Sequence, residues 1–156
     1  MRGQIADIRR KQQILDFSQL RYNNITPMDM DGFVEAADNG CILFEVKYGD
    51  APLKYGQKLG LVRVADWIAE TGRLAWVVVL EHRVHDCDKT VNAATDCIVR
   101  TVYNPYKKDW RKPDGKEPIT FGCLYQEMMD VLHDREDLEF FYWLHFTKWW
   151  GQGGTS

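Results

Sequence analysis

Seven consecutive apolar residues, Leu74 to Leu80, place the tightest constraint on how this chain can fold. Such a run is apolar on both sides of an extended strand, so other parts of the protein must cover both of its faces. The run is also far too short to cross a bilayer, which takes about 20 residues in a helix. We therefore predict a central strand in an α/β domain, with a mixed β-sheet flanked by helices.

An amphipathic helix is predicted directly before this strand, from Tyr55 to Thr71. Leu61, Ala65 and Ile68 share one helical face at i, i+4 and i+7, and Gln57 lies four residues before Leu61 on the same stripe. Gly72 follows the helix as a stop signal. A strand, this helix and the apolar strand in series make a β–α–β crossover, which places the two strands parallel to each other.

Two shorter apolar runs precede the helix and predict an antiparallel hairpin. They are Asp31–Glu35 and Ile42–Lys47, and the turn Ala36–Gly40 between them ends in Asn39-Gly40, a common hairpin dipeptide. We expect the hairpin to close near that dipeptide, which carries the start of its first strand back toward the end of its second.

The hairpin carries charge where a buried strand should carry none. Side-chain alternation puts Glu45 and Lys47 on one face of the second strand, and the turn brings Asp31 toward the same end. Charges at the rim of a core sheet are costly unless they are paired or bind a metal. A solvent-exposed salt bridge is the alternative explanation.

The rest of the chain adds helices, one further strand and loops. The predicted segments are a helix at 4–20, a strand at Cys97–Tyr103, a polar loop at Asn104–Pro118, a helix at Thr120–His133 with Thr120 as N-cap, an aromatic-rich helix at 135–150 and a flexible tail at 151–156. We assign residues 1–134 to an α/β domain, and residues 135–156 to a C-terminal helix and tail of the same domain.

The spacing of Asp31-Gly32 and Glu45-x-Lys47 resembles the PD-(D/E)XK nuclease superfamily, in particular its small RecB-like and phage-type members. The helix–strand–strand–helix–strand order from about residue 4 to 82 is similar to the family core. Gln57 matches a glutamine of RecB-like members, whereas the literal Pro-Asp pair is absent. The resemblance implies a restriction-endonuclease-like core (α-β-β-α-β), here followed by a C-terminal helical addition.

The resemblance also implies a metal-dependent nuclease that hydrolyses phosphodiester bonds in DNA. Asp31, Glu45 and the backbone carbonyl of Val46 would bind Mg²⁺ (or Mn²⁺), a cation that prefers oxygen ligands. Lys47 would act on the attacking water or the transition state, and Gln57 would support it. Asp29 is an alternative to Asp31, and the first helix lacks the glutamate that family members often supply. Because of that missing glutamate, the alternative to a nuclease is a catalytically inactive nucleic-acid-binding or accessory protein.

A basic, aromatic segment in the polar loop is a candidate for nucleic-acid contact, because cations bind phosphates and rings stack on bases. The net charge of −3 offers no global attraction to DNA, so any binding must come from local patches. The candidate residues, including two lysines at the start of the Gln57 helix, are Lys54, Lys58, Lys107, Lys108, Trp110, Arg111 and Lys112. A merely solvated loop is the competing interpretation.

Remaining features set expectations about location, thiols and assembly. The first residues lack the apolar core of a secretion signal, so a cytoplasmic location without membrane insertion is expected. Cys41 and Cys97 fall in strand patterns and are expected to be buried free thiols. The spacing His82-x-x-His85-x-Cys87 is too irregular for a zinc site. Packing against the domain is the first interpretation of the aromatic C-terminal segment, and a homo-oligomer surface is the second.

Overall fold

The apolar run of the sequence lies at the centre of a five-stranded mixed sheet in the computed structural model, which describes residues 16–115 and 117–133. The strands, in their spatial order across the sheet, are β1 (Gly32–Ala36), β2 (Gly40–Tyr48), β3 (Leu74–His82), β4 (Ile98–Asn104) and β5 (Asp109–Arg111). Strands β2 and β3 are parallel, as predicted, and every other neighbouring pair is antiparallel. The mixed α/β sheet is thus confirmed.

Helices cover both faces of β3, as its composition requires. Helix α1 (Tyr55–Glu70) packs with Ala75 and Val77 on one face, and helix α2 (Phe121–His133) packs with Trp76 on the other. Every residue from Leu74 to Leu80 is buried. The hydrophobic driving force for these two layers therefore comes from a strand that has no polar face.

The ends of the two helices follow the expected local chemistry. Gly72 takes a φ of 82°, and its N–H donates to the carbonyl of Ala69, so a residue without a Cβ ends α1. At the start of α2 the hydroxyl of Thr120 accepts a hydrogen bond from the Cys123 N–H at 3.4 Å, which confirms the predicted N-cap.

The hairpin turn lies earlier than the sequence predicts. Ala37 and Asp38 are its central residues, with φ of 51° and 60°, and the Asn39 N–H donates to the carbonyl of Ala36. Gly40 is instead the first residue of β2, where a Cβ would lie 2.2 Å from the carbonyl oxygen of Leu74. The close approach of β2 and β3, rather than the turn, requires that glycine.

Two other segment predictions were wrong within the described residues. The helix expected to reach Leu20 is only a 3₁₀ turn at Ser18–Leu20. The Asp16 carboxylate accepts a hydrogen bond from the Ser18 N–H, which gives this backbone group a partner outside a helix. The predicted loop at Asn104–Pro118 contains β5, which pairs with the end of β4.

The expected thiol burial is confirmed, because Cys41 and Cys97 are buried and neither is in a disulfide. Burial raises the pKa of the Cys41 thiol to about 11, with a smaller contribution from the negative charge of Glu35. Neither α1 nor α2 is long and apolar enough to cross a membrane, and no other described helix is. Residues 1–15, which hold most of the predicted first helix, and 134–156, with the aromatic helix and tail, lie outside the described residues.

Candidate active site

The end of β2 and the start of α1 bring together three of the predicted site residues. Glu45 and Lys47 lie two residues apart in β2, on the sheet face that packs against α1. Gln57 lies in the first turn of α1 and reaches both of them. Its place on the inward stripe of the helix explains why the sequence pattern could locate it.

Their polar atoms form a closed network of three hydrogen bonds. The Lys47 Nζ donates to the Oε1 of Glu45 at 2.7 Å and to the Oε1 of Gln57 at 3.1 Å. The Nε2 of Gln57 donates to the same Glu45 oxygen at 2.8 Å. Because each side chain contacts the other two, the carboxylate, the ammonium and the amide restrict one another's rotamers.

One oxygen atom of the Glu45 carboxylate takes no part in this network. The Glu45 side chain is only 5% exposed, and among the described residues its Oε2 has no hydrogen-bond partner. A buried carboxylate oxygen without a partner costs about 1–3 kcal/mol or more. Such an atom calls for an additional ligand at this position.

Asp31 approaches the same strand from β1. Its Oδ2 accepts a hydrogen bond from the backbone N–H of Val46 at 2.7 Å. The pairing of Gly32 with Phe44 places Asp31 opposite Glu45 when the register is continued by one residue. Since the N–H and C=O of a strand residue point to the same side, the Val46 carbonyl also faces this edge.

Gly32 permits that approach. A Cβ at Gly32 would lie 1.9 Å from the Cζ of Phe44, because the phenyl ring lies directly over the glycine. The ring is held in place by Phe121 of α2, with 5.0 Å between the ring centroids. The glycine after Asp31 therefore has a packing reason: it lets an aromatic residue of β2 cover the start of β1. Asp31 and the alternative ligand Asp29 are both exposed, and Asp31 is the one whose carboxylate contacts β2.

The donor set at this edge fits a small, hard divalent cation. The carboxylates of Asp31 and Glu45 and the carbonyl of Val46 are all oxygen donors, and one buried carboxylate oxygen has no partner among residues 16–115 and 117–133. Within residues 16–115 and 117–133 no three His, Cys, Asp or Glu side chains are grouped to hold a metal. Mg²⁺ tolerates so few protein ligands, because it usually retains several waters.

The histidines near the end of β3 make other contacts. The Nδ1 of His82 accepts from the Val84 N–H at 3.3 Å, and its ring packs edge-on against Tyr48. The Tyr48 hydroxyl is hydrogen-bonded to the Nδ1 of His85. These side chains are thus engaged in an aromatic cluster beside the end of β2.

The predicted nucleic-acid residues meet along one side of α1. The Lys58 Nζ lies 5.2 Å above the ring of Trp110 in β5, a cation–π contact. Trp110 is partly buried and packs against Tyr103, with 5.3 Å between the ring centroids. The strand missed by the sequence analysis is therefore what joins the basic loop to the helix that carries Gln57.

Two of the cations in this group are paired and the others face solvent. Lys108 contacts Asp66 of α1 at 3.0 Å, and Arg111 contacts Asp109 at 3.2 Å. The exposed lysines, counting the paired Lys108, are Lys54, Lys58, Lys107, Lys108 and Lys112. Lys54 and Lys58 thus lie at the start of α1, whereas Lys108, in the connection between β4 and β5, lies against Asp66 in the second half of the helix.

Arg100 of β4 and its partner Glu81 lie beside the candidate site. The sequence pattern did not single out Arg100. The guanidinium lies beside the connection between β2 and α1, where it contacts backbone carbonyls. Its position depends on an irregularity in the pairing of β3 and β4, which leaves no signal in side-chain periodicity.

No protein-family model, curated protein or solved structure matches this chain. The geometry of Asp31, Glu45, Lys47 and Gln57 therefore carries the inference about function.

Proposed function

We propose that this protein is a Mg²⁺-dependent deoxyribonuclease with a restriction-endonuclease-like core. The observation that carries the proposal is the buried Glu45 Oε2, which has no hydrogen-bond partner within the described part of the chain, at the strand end where Asp31 meets the Val46 amide. Its neighbour Lys47 supplies a cation within 2.7 Å of the other Glu45 oxygen. Oxygen ligands beside an ammonium suit the hydrolysis of a phosphodiester.

A purely structural salt bridge accounts less well for this arrangement. Exposed ion pairs contribute about 0–1 kcal/mol and leave both charges hydrated. Glu45 is instead buried, and removing a carboxylate from water is offset only when its lone pairs are satisfied. A pair selected for stability alone would not leave one buried oxygen without a partner.

Each residue of the candidate site has its own role in the proposed reaction. Asp31, Glu45 and the Val46 carbonyl would hold Mg²⁺, which when bound supplies a Lewis acid and an activated water. Lys47 places a positive charge beside the reacting phosphate and stabilises the negative charge that develops on its oxygens. Gln57 holds both Lys47 and Glu45 in place, so neither must reorganise during the reaction.

The cations around α1 would contact the DNA backbone. Lys54 and Lys58 lie at the start of the helix that carries Gln57, so phosphates bound there would lie next to the network. Lys107 and Lys112 extend the basic surface on the β4–β5 side. Such a local patch attracts DNA even though the net charge of the chain is −3.

Metal-dependent cleavage by the purified full-length protein is the test. We expect cleavage of DNA in Mg²⁺ or Mn²⁺ that chelation abolishes, and a loss of about 100-fold or more in each of Asp31→Asn, Glu45→Gln and Lys47→Met. Asp38→Asn is the matched control, because it removes a salt bridge with Arg73 at the opposite end of the same hairpin.

Two results would reject the assignment. Cleavage that persists in all three site variants would place the activity elsewhere or in a contaminant. DNA binding without cleavage, together with no Mn²⁺ binding that depends on Asp31 and Glu45, would support the non-catalytic accessory protein instead.

A further inference from the structure

The connection between β2 and α1 sets the spacing of the candidate active site. Lys47 is the penultimate residue of β2 and Gln57 is the third residue of α1, so residues 49–54 alone join the two halves of the network. The Lys47–Gln57 hydrogen bond is 3.1 Å long and would break with a shift of about 1 Å. Whatever holds this connection in place therefore also holds the network.

Arg100 lies on β4 and holds the connection from across β3. Its Nη1 donates to the carbonyl of Ala51 and its Nη2 to the carbonyl of Gly49, both at 2.6 Å. A planar guanidinium presents these donors at a fixed spacing, which a flexible lysine ammonium cannot reproduce. The side chain is 24% exposed, so water competes only weakly for the two carbonyls.

A β-bulge aims Arg100 at this connection. In the pairing of β3 with β4, Val79 lies opposite Thr101 whereas Leu80 lies opposite Val99, so Arg100 has no partner in the ladder. Bulges re-aim a side chain and are frequent next to active sites. Here the extra residue carries the guanidinium that reaches across to the end of β2.

A second arginine, Arg83, also binds the connection between β2 and α1. Glu81 lies beside Lys47 in the parallel pairing of β2 with β3, and its Oε2 is 3.7 Å from Arg100 Nη2 and 3.4 Å from Arg83 Nη2. Arg83 also donates to the carboxylate of Asp50 at 2.7 Å. Three successive residues of the connection, 49–51, are thus bound by two arginines that share one carboxylate.

We propose that Arg100, oriented by Glu81, is a positioning residue for the active site: it fixes the β2–α1 connection and so maintains the contacts among Glu45, Lys47 and Gln57. It touches neither the metal ligands nor the ammonium, and acts on the reaction only through Lys47 and Gln57. The inference about catalysis rests on the proposed nuclease function, whereas the structural coupling does not.

The test compares Arg100→Lys and Arg100→Met with an Arg63→Lys control on the exposed side of α1. We expect kcat for DNA cleavage to fall about 10–100-fold while KM and Mn²⁺ binding change less than about threefold. In parallel, the ¹H–¹⁵N signals of the Gln57 side-chain amide should shift toward the values that they have in Lys47→Met.

The outcomes separate the two proposals. If the Arg100 variants shift the Gln57 signals but the wild-type protein cleaves no DNA, the positioning role is upheld and the nuclease function is rejected. Unchanged Gln57 signals in folded Arg100 variants would overturn the positioning role, whatever happens to cleavage. If Arg100→Lys does not fold, Gly49→Ala perturbs the same connection, because Gly49 has a φ of 53° and, among the described residues, its Cβ would meet only Arg83 Nη1, at 3.8 Å. Unchanged Gln57 signals in that variant would equally overturn the positioning role.

Discussion

Gln57 donates to Glu45 at 2.8 Å through Nε2 and accepts from Lys47 at 3.1 Å through Oε1, so one amide bridges both charges of the strand. A primary amide can do this because it carries a donor and an acceptor on one planar group. The bridge links Gln57 of α1 to Glu45 of β2, twelve residues earlier in the chain. The positions of both charges therefore depend on α1.

Replacement of Gln57 tests this bridge. In Gln57→Leu, Lys47 and Glu45 keep their mutual ion pair but lose the amide, so the ammonium gains rotational freedom. We expect kcat for DNA cleavage to fall about 10-fold, which corresponds to about 1.4 kcal/mol, with little change in KM. Steady-state kinetics on the purified variant measures this, and an unchanged kcat would contradict the role assigned to Gln57.

Gly32→Ala tests the packing of Phe44 over the start of β1. The added Cβ would lie 1.9 Å from the phenyl ring, so the ring or the strand must move. We expect a loss of about 1–3 kcal/mol in the free energy of unfolding, together with weaker Mn²⁺ binding because Asp31 is displaced.

Gly56→Ala is the matched control for that experiment. Gly56 is in helix α1, and no atom of the described residues lies within 4 Å of its Cβ position. We expect it to be neutral or to stabilise the protein by up to about 1 kcal/mol. Urea denaturation of both variants provides the comparison, and equal stability of the two would argue against the Phe44 contact.

The exposed lysines near α1 should contribute to DNA affinity through phosphate contacts. We expect Lys107→Gln and Lys112→Gln to weaken binding to all DNA sequences alike, and each to reduce the slope of log K against log salt by about 1. Fluorescence anisotropy at several salt concentrations measures this slope. Lys89→Gln, in the exposed connection between β3 and β4, is the control and should leave the slope unchanged.

Tyr103 should make stability depend on pH above neutrality. Burial raises the pKa of its phenol, and the hydrogen bond that it donates to Asp66 raises it further. Because the folded pKa exceeds the unfolded value of about 10, this contribution is complete below pH 10 and is lost as pH rises toward the folded pKa.

The predicted loss is at most about 1.4 kcal/mol per pH unit above pH 10. Urea unfolding of wild type and Tyr103→Phe between pH 8 and 11 isolates it, because the variant lacks the titrating phenol. The difference in unfolding free energy between the two proteins should shrink above pH 10. A constant difference would contradict the burial and hydrogen bonding of Tyr103.

Local periodicity was sufficient to predict the parallel central strands, the helix that connects them and part of the candidate site. The apolar run at Leu74–Leu80 predicted a strand covered on both faces, and the stripe of α1 predicted where Gln57 lies. The two-residue repeat of a strand placed Glu45 and Lys47 on one face. Each of these features depends on neighbours within a few residues, and such neighbours are visible in sequence.

Contacts between distant segments determined the rest. The Asp31–Val46 hydrogen bond, the partnerless oxygen of Glu45 and the cation–π contact with Trp110 each require two or more elements to be packed first. Arg100 reaches the site because one extra residue in β4 breaks the pairing register. A bulge changes neither composition nor period, so its effect becomes visible only when the strands are aligned in the folded sheet.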